Sequence, residues 1–185
     1  MPDSVPSDET LMQFTGEGNI KAFEKIVKRH QTWAWRIAYR FLGDDEEAAD
    51  LVQEAFLRLL DASDRYRPTA KFTTYFYQII TRLCLDAAKK KKPLDVEDVP
   101  ETPDPNPDAS EVMIRNETAA AVRAAVQVLP PNQRIAIIYR YFENMNYDEI
   151  ASVLETTPKA VERLLARGRD RLRSIIGAWE KFSDF

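Results

Sequence analysis

The stretch Tyr147-Asp-Glu-Ile-Ala-Ser-Val-Leu-Glu-Thr-Thr-Pro-Lys-Ala-Val-Glu-Arg-Leu-Leu165 carries two apolar helical stripes parted by a short polar turn. Ile150, Ala151 and Leu154 form the first stripe, and Val161, Leu164 and Leu165 form the second. Thr157 is a good N-cap, and Pro158 stands at the first helical position, where its missing N–H costs nothing. Ala151 is small enough to let a second helix cross close by. Glu155 occupies the turn position where glycine would supply a left-handed backbone. This is helix-turn-helix spacing. Between residues 159 and 173 stand six basic and two acidic side chains, a local charge of +4. A recognition helix would aim Lys159, Glu162, Arg163 and Arg167 at base edges and phosphates. A helical hairpin with a solvated basic face fits the same pattern.

Upstream, the composition breaks sharply at Pro93–Glu111. This segment holds five prolines and seven acids and lacks Lys and Arg. Proline withdraws backbone donors and like charges repel, so the segment reads as an extended linker. The chain therefore divides into an N-terminal domain, residues 1–92, the linker, residues 93–111, and a C-terminal domain, residues 112–185. Before the linker, Ile20, Phe23, Ile26, Val27, Trp33, Ile37, Ala38 and Phe41 recur at threes and fours. Gly43 ends that helix and Asp44 caps the next, which carries Leu51, Val52, Ala55, Phe56 and Leu59. A third helix is expected over 73–90. Beyond the linker, helices are expected at about 111–128, 131–143, 147–154 and 158–176. Strand alternation with turn signals is missing, so the fold class is all-α: two small helical bundles joined by an acidic, Pro-rich linker.

The 185 residues are 44% hydrophobic and 30% charged, which allows a packed core. One Cys and one His exclude a disulfide framework and a Cys/His metal site. Neither G-x-G-x-x-G nor a Walker-type phosphate loop occurs. No apolar run is long enough for a membrane span, and the acidic N-terminus is unlike a signal peptide. A cytoplasmic location with a reduced Cys84 is the expectation, with no metal or other cofactor. The net charge of −4 argues at first against a DNA-binding role. By segment it resolves into +1 for residues 1–92, −7 for the linker and +2 for residues 112–185. The linker alone makes the chain acidic.

Two N-terminal clusters carry chemistry. Asp44, Asp45, Glu46, Glu47, Asp50 and Glu54 lie within eleven residues, and Glu46, Asp50, Gln53 and Glu54 share one helix face. Such a face can dock a basic partner, cage a divalent cation, or serve as a solvated surface whose acids favour the helix dipole. Further on, Arg65, Arg67 and Lys71 interleave with Tyr66, Phe72, Tyr75, Phe76 and Tyr77. Cations that hold a backbone beside aromatic faces that stack bases suit the capture of a single strand. Phe72 and Phe76 are expected in the core. Lys89–Lys92 suits either phosphate contact or the helix C-terminus. His30 and Cys84 read as structural. Of Trp33 and Trp35, one is expected in the core and the other partly exposed.

Four motifs together resemble the extracytoplasmic-function (group IV) sigma factors of bacterial RNA polymerase. Ala49-Asp50-Leu-Val-Gln53-Glu54-Ala-Phe56-Leu-Arg58 is similar to that family's D-L-V-Q-E-x-F helix. Phe72-Thr-Thr-Tyr-Phe-Tyr-Gln-Ile-Ile80 resembles its F-x-T-W-L-Y-R-I-A segment, with Tyr75 in place of the tryptophan. Leu129-Pro-Pro-Asn-Gln-Arg134 resembles its L-P-x-x-Q-R opening, and residues 147–173 resemble its closing helix-turn-helix. The order is the family's, over about residues 10–175.

The resemblance implies that Asp50, Gln53, Glu54 and Arg58 dock on the β′ clamp helices of core polymerase. It implies that Arg65, Tyr66, Lys71, Thr74, Tyr75, Tyr77 and Gln78 engage and melt the minus-ten element of promoter DNA. Lys159, Glu162, Arg163, Arg167 and Arg169 would read the minus-thirty-five element, with the C-terminal domain against the β flap. The acidic linker would thread the path built for RNA. An anti-sigma factor is a further implied partner, and the chain itself would not catalyse. Two other readings compete: a polymerase-independent helix-turn-helix regulator, and a metal-dependent nucleotide hydrolase using Glu46, Glu47, Asp50 and Glu54. The hydrolase lacks a second carboxylate helix.

Overall fold

The computed structural model describes residues 6–68, 71–90 and 122–176, and its regular structure there is helical throughout. The linker at 93–111 and the expected helical turns before residue 122 lie outside the described residues. The N-terminal helices are α1 (Asp8–Gly16), α2 (Ile20–Leu42), α3 (Asp45–Asp61) and α4 (Phe72–Lys90), with a 3-10 turn at Ser63–Arg65. After helical residues 122–127 come α5 (Pro131–Tyr141), α6 (Tyr147–Val153) and α7 (Pro158–Ile176).

The boundaries follow local chemistry. Asn19 accepts from the Ala22 N–H and starts α2; Gly43, at φ 80°, closes it with a left-handed turn. Asp44 accepts from the Glu47 N–H and starts α3. Asn146 and Glu149 form a reciprocal capping box on α6. Thr157 accepts from the Ala160 N–H at the head of α7.

Helix α1 was not expected from the apolar periodicity, because nine residues are too few to display a stripe. Its signal is the cap: the Ser7 side chain accepts from the Thr10 N–H, and Asp8 and Glu9 follow in the first turn. Its own Leu11 and Met12 are fully buried.

Helix α2 lays Ala22, Ile26, His30, Ala34, Ile37, Ala38 and Phe41 along one buried stripe. Helix α3 answers with Ala48, Leu51, Val52, Ala55, Phe56 and Leu59. Phe76 of α4 sits at the centre, its ring 5.0 Å from Phe56, 5.4 Å from Trp33 and 5.9 Å from Phe72. Both Trp33 and Trp35 are half-buried, so neither is fully core.

The two bundles pack against each other through α2 and α4. The terminal carbonyls of α2 have no partner within their own helix, and the second bundle supplies the donors. Gln127 donates to the Arg40 carbonyl at 2.8 Å, and Arg134 donates to the Phe41 carbonyl at 2.8 Å. Arg134 also serves the Gln127 carbonyl and side chain and the Leu129 carbonyl, and lies over the Phe41 ring. Burial lowers its pKa to about 10, so it is still cationic at neutral pH. The Thr81 hydroxyl pairs with the fully buried Tyr139 phenol at 2.7 Å.

Candidate docking and nucleic-acid interfaces

Helix α3 presents Asp50, Gln53, Glu54 and Arg58 to solvent, because their positions oppose its buried stripe. Glu54 and Arg58 form an i,i+4 pair at 2.8 Å. Beside them runs a groove of about 570 Å³ between α2 and α3, lined by Phe23, Val27, Trp35, Val52, Phe56 and Leu57, with Gln53 on its rim. Leu57 is 49% exposed. Trp35 is held in place by stacking on Tyr39 at 4.9 Å and by donating to Asp45 at 3.0 Å. An apolar groove with amides and a hydroxyl in its lining, on a helix whose exposed side carries Asp50 and Glu54, can seat an amphipathic helix whose polar side is basic. Among the described residues, no cluster of His, Cys, Asp or Glu could hold a metal ion.

The basic-aromatic segment divides by burial. Arg65, Arg67 and Lys71 are exposed, whereas Phe72 and Phe76 are core. Tyr66 departs from the expected stacking role: it is 8% exposed and packs 5.7 Å from Tyr75. The apolar ring has turned inward, and burial raises its pKa. Thr74 and Tyr75 are half-buried.

Tyr77 and Gln78, both half-buried, contact the second bundle. Tyr77 lies 4.6 Å from the Trp33 ring and 5.3 Å from Tyr139, and its hydroxyl donates to Glu143 at 3.3 Å. Burial, then the Glu143 charge, raises its pKa. Gln78 donates to the Ser152 carbonyl at 3.0 Å. Arg82, one turn on, pairs with Glu155. Spacing alone could not separate bases from a second protein surface as the target of these groups.

On α7, Lys159, Glu162, Arg163 and Arg167 are exposed on one side, opposite the buried Val161, Leu165 and Leu172. Lys159 pairs with Glu162 at 2.7 Å. Arg169 departs from the others: it is half-buried and reaches the Tyr141 hydroxyl at 3.5 Å. Gly168 crosses α5 so closely that a Cβ would lie 3.0 Å from Ile137 Cγ1. Helix α6 braces this helix through the turn at Leu154–Thr157, where Glu155 adopts φ 52°.

Two family models match the chain in this order: Sigma-70 region 2 over residues 26–93, and Sigma-70 region 4 over residues 119–172. The chain belongs to the extracytoplasmic-function sigma factors. The extracytoplasmic-function sigma factor SigE of Mycolicibacterium smegmatis is 29% identical over 182 residues, covering 95% of this chain and 70% of the relative. SigW of Bacillus subtilis is 29% identical over 177 residues, covering 85% of this chain and 90% of its own. Among solved structures, CnrH in complex with the cytosolic domain of CnrY superposes with a TM-score of 0.70 at 23% identity, covering 93% of this chain and 98% of that one. Sigma factor RpoE in complex with anti-sigma factor NepR from Bartonella quintana gives 0.63 at 17%, covering 85% and 98%. These likenesses show that the fold is shared. The sigma factor is thus a transcription initiation factor that directs RNA polymerase to promoters. No helix among its described residues is long and apolar enough to cross a membrane.

Proposed function

We propose that this sigma factor docks on the β′ clamp helices through the exposed side of α3 and the adjoining groove, with the C-terminal bundle on the β flap. The observation that carries this reading is the groove itself, lined by Gln53 and exposed Leu57 of the same helix that presents Asp50 and Glu54 to solvent. Arg65, Arg67 and Lys71 contact the backbone of the minus-ten strand, and Thr74 and Tyr75 meet its bases. Tyr66 supports Tyr75 from beneath. Lys159, Glu162, Arg163 and Arg167 of α7 read the minus-thirty-five element in the major groove. The acidic linker follows the path of nascent RNA.

The sigma factor acts without catalysis of its own, in the cytoplasm. An anti-sigma factor is the partner expected to cover the same groove, since an occupied groove cannot receive the clamp helices. Transcription in vitro with core polymerase on a promoter library tests the whole reading. Promoter-specific transcripts that depend on the chain are expected. Their absence, with core polymerase active beside another sigma factor, overturns it.

A further inference from the structure

Helix α1 lies outside both matched regions, which begin at residue 26 and residue 119. Its contacts fall at the two ends of the segment that holds Arg65, Tyr66, Arg67 and Lys71. At the far end, α4 opens with Phe72 directly after Lys71, whose side chain offers no acceptor. The first turn of α4 contains no acid. Among the described residues, none local to this helix start provides the side-chain cap that α1, α2, α3 and α6 each have. The Phe72 N–H instead donates to Glu9 Oε1 of α1 at 2.9 Å. A carboxylate at this place also opposes the positive end of the α4 dipole. The bond from Phe72 is the main cause holding the Glu9 carboxyl below its usual pKa.

At the near end, α1 closes on the 3-10 turn. A Cβ on Gly16 would lie 2.5 Å from the Ser63 carbonyl oxygen, a backbone atom that cannot swing aside. The helix between these contacts is itself fixed. Asp8 bonds Arg29 at 2.7 Å and His30 at 2.9 Å, Arg29 donates to the Pro6 carbonyl at 2.9 Å, and Leu11 and Met12 are buried.

We propose that Glu9 is a positioning residue for promoter melting, capping α4 from α1 so that Thr74 and Tyr75 in its first turn are held in strand-capturing position. The inference rests on the reading above, which places both on the minus-ten element. Loss of the cap frays the turn that carries Thr74 and Tyr75, and the ordering must then be made up on DNA binding. Glutamine preserves an acceptor oxygen at this position; alanine does not.

The test uses the full chain. In the free protein, Glu9→Ala is expected to speed hydrogen exchange at the Phe72–Phe76 amides at least tenfold, leaving the core amides of α2 and α3 unchanged. With core polymerase, on a promoter selected from the library, it is expected to lower permanganate reactivity of the minus-ten strand at least fivefold. Affinity for core polymerase is expected to stay within twofold. Glu9→Gln is expected to restore both readouts to within twofold of wild type. Gly16→Ala, which displaces Ser63 instead, is expected to reproduce the melting defect. Unchanged exchange in Glu9→Ala overturns the proposal, as does faster exchange with unchanged melting, or an equal loss in Glu9→Gln. A wild-type chain that binds no core polymerase overturns the functional reading and the brace's role with it. An active wild type beside an equally active Glu9→Ala overturns the brace alone.

Discussion

One Arg82 guanidinium nitrogen donates to both carboxylate oxygens of Glu155, at 2.8 and 2.9 Å, joining α4 to the turn of the helix-turn-helix. Glu155 holds φ 52°, a left-handed backbone that a side chain strains. The departure from glycine therefore gains a link between the bundles at a cost in the turn. The pair is exposed, so it contributes at most about 1 kcal/mol. Glu155→Gly loses the link but relieves strain worth about 1 kcal/mol or more. Its stability in urea is expected within about 0.5 kcal/mol of wild type. Glu155→Ala loses the link and keeps the strain, so it is expected to be about 1 kcal/mol less stable than the glycine variant. Equal stability of the two would show that the backbone is unstrained.

The double variant Asp50→Ala, Gln53→Ala removes two exposed side chains of α3. Its melting temperature is expected within about 2 °C of wild type, because surface changes of this kind move stability by about 0.5 kcal/mol or less. Its affinity for core polymerase is expected to fall by about tenfold or more. Undiminished capture of core polymerase would move the docking face elsewhere.

Arg163→Ala with Arg167→Ala removes two exposed cations from α7. The footprint over the upstream promoter element is expected to be lost. The slope of log affinity against log salt should fall by up to about 2 if both side chains meet phosphate. A footprint and slope identical to wild type would exclude α7 as the reading helix.

His30 sets a pH dependence. Its Nδ1 accepts from Trp33 Nε1 at 2.7 Å, so the ring is neutral and its Nε2–H donates to Asp8 at 2.9 Å. Burial lowers the His30 pKa below the ordinary 6.5, overriding the opposing pull of the Asp8 charge. The unfolded chain therefore binds the proton more tightly than the folded one. The stability due to neutral His30 is fully present above pH 6.5 and is lost as pH falls through the window below it. Between pH 7.5 and 5.5, wild type is expected to lose more stability in urea than His30→Gln. Glu9, whose pKa is also lowered, titrates below its ordinary 4.5 and leaves this window clear. Parallel losses in both proteins would remove His30 as the cause.

Arg134 is half-buried among carbonyls, and among the described residues no carboxylate forms an ion pair with it, so hydrogen bonds carry its charge. Arg134→Ala orphans the Phe41 and Leu129 carbonyls and opens space beside the Phe41 ring. A loss of about 3 kcal/mol is expected. Arg134→Lys is expected to recover less than half of it, because an ammonium cannot span acceptors set out for a planar fork. Urea denaturation of the three proteins measures both.

Much of the helical order is written locally. Gly43 and Asp44 mark the junction of α2 and α3, Thr157 and Pro158 open α7, and the stripe from Ala22 to Phe41 repeats at threes and fours. Caps and periodicity act over one or two turns, so a single sequence displays them. The exposed sides of α3 and α7 follow from the same periodicity, as the faces opposite the buried stripes. Ser7, Asp8 and Glu9 announced α1 in the same local terms, but a short helix with few apolar residues offers little periodicity to confirm it.

The rest depended on partners far away in the chain. Interleaved tyrosines and cations are equally suited to bases and to another protein surface. Only packing turned Tyr66 inward and set Tyr77, Gln78 and Arg82 against Glu143, Ser152 and Glu155. The cap on Phe72 comes from Glu9, and the ends of α2 are closed by Gln127 and Arg134. Sequence alone determined α2, α3, α4 and the helices of the C-terminal bundle among the described residues and which of their faces are wet, because those depend on neighbours within a few residues. Which polar groups stay exposed and which pair with the other bundle was decided by tertiary structure. A donor or acceptor takes whatever partner the fold brings within about 3 Å, and no local pattern encodes that distance.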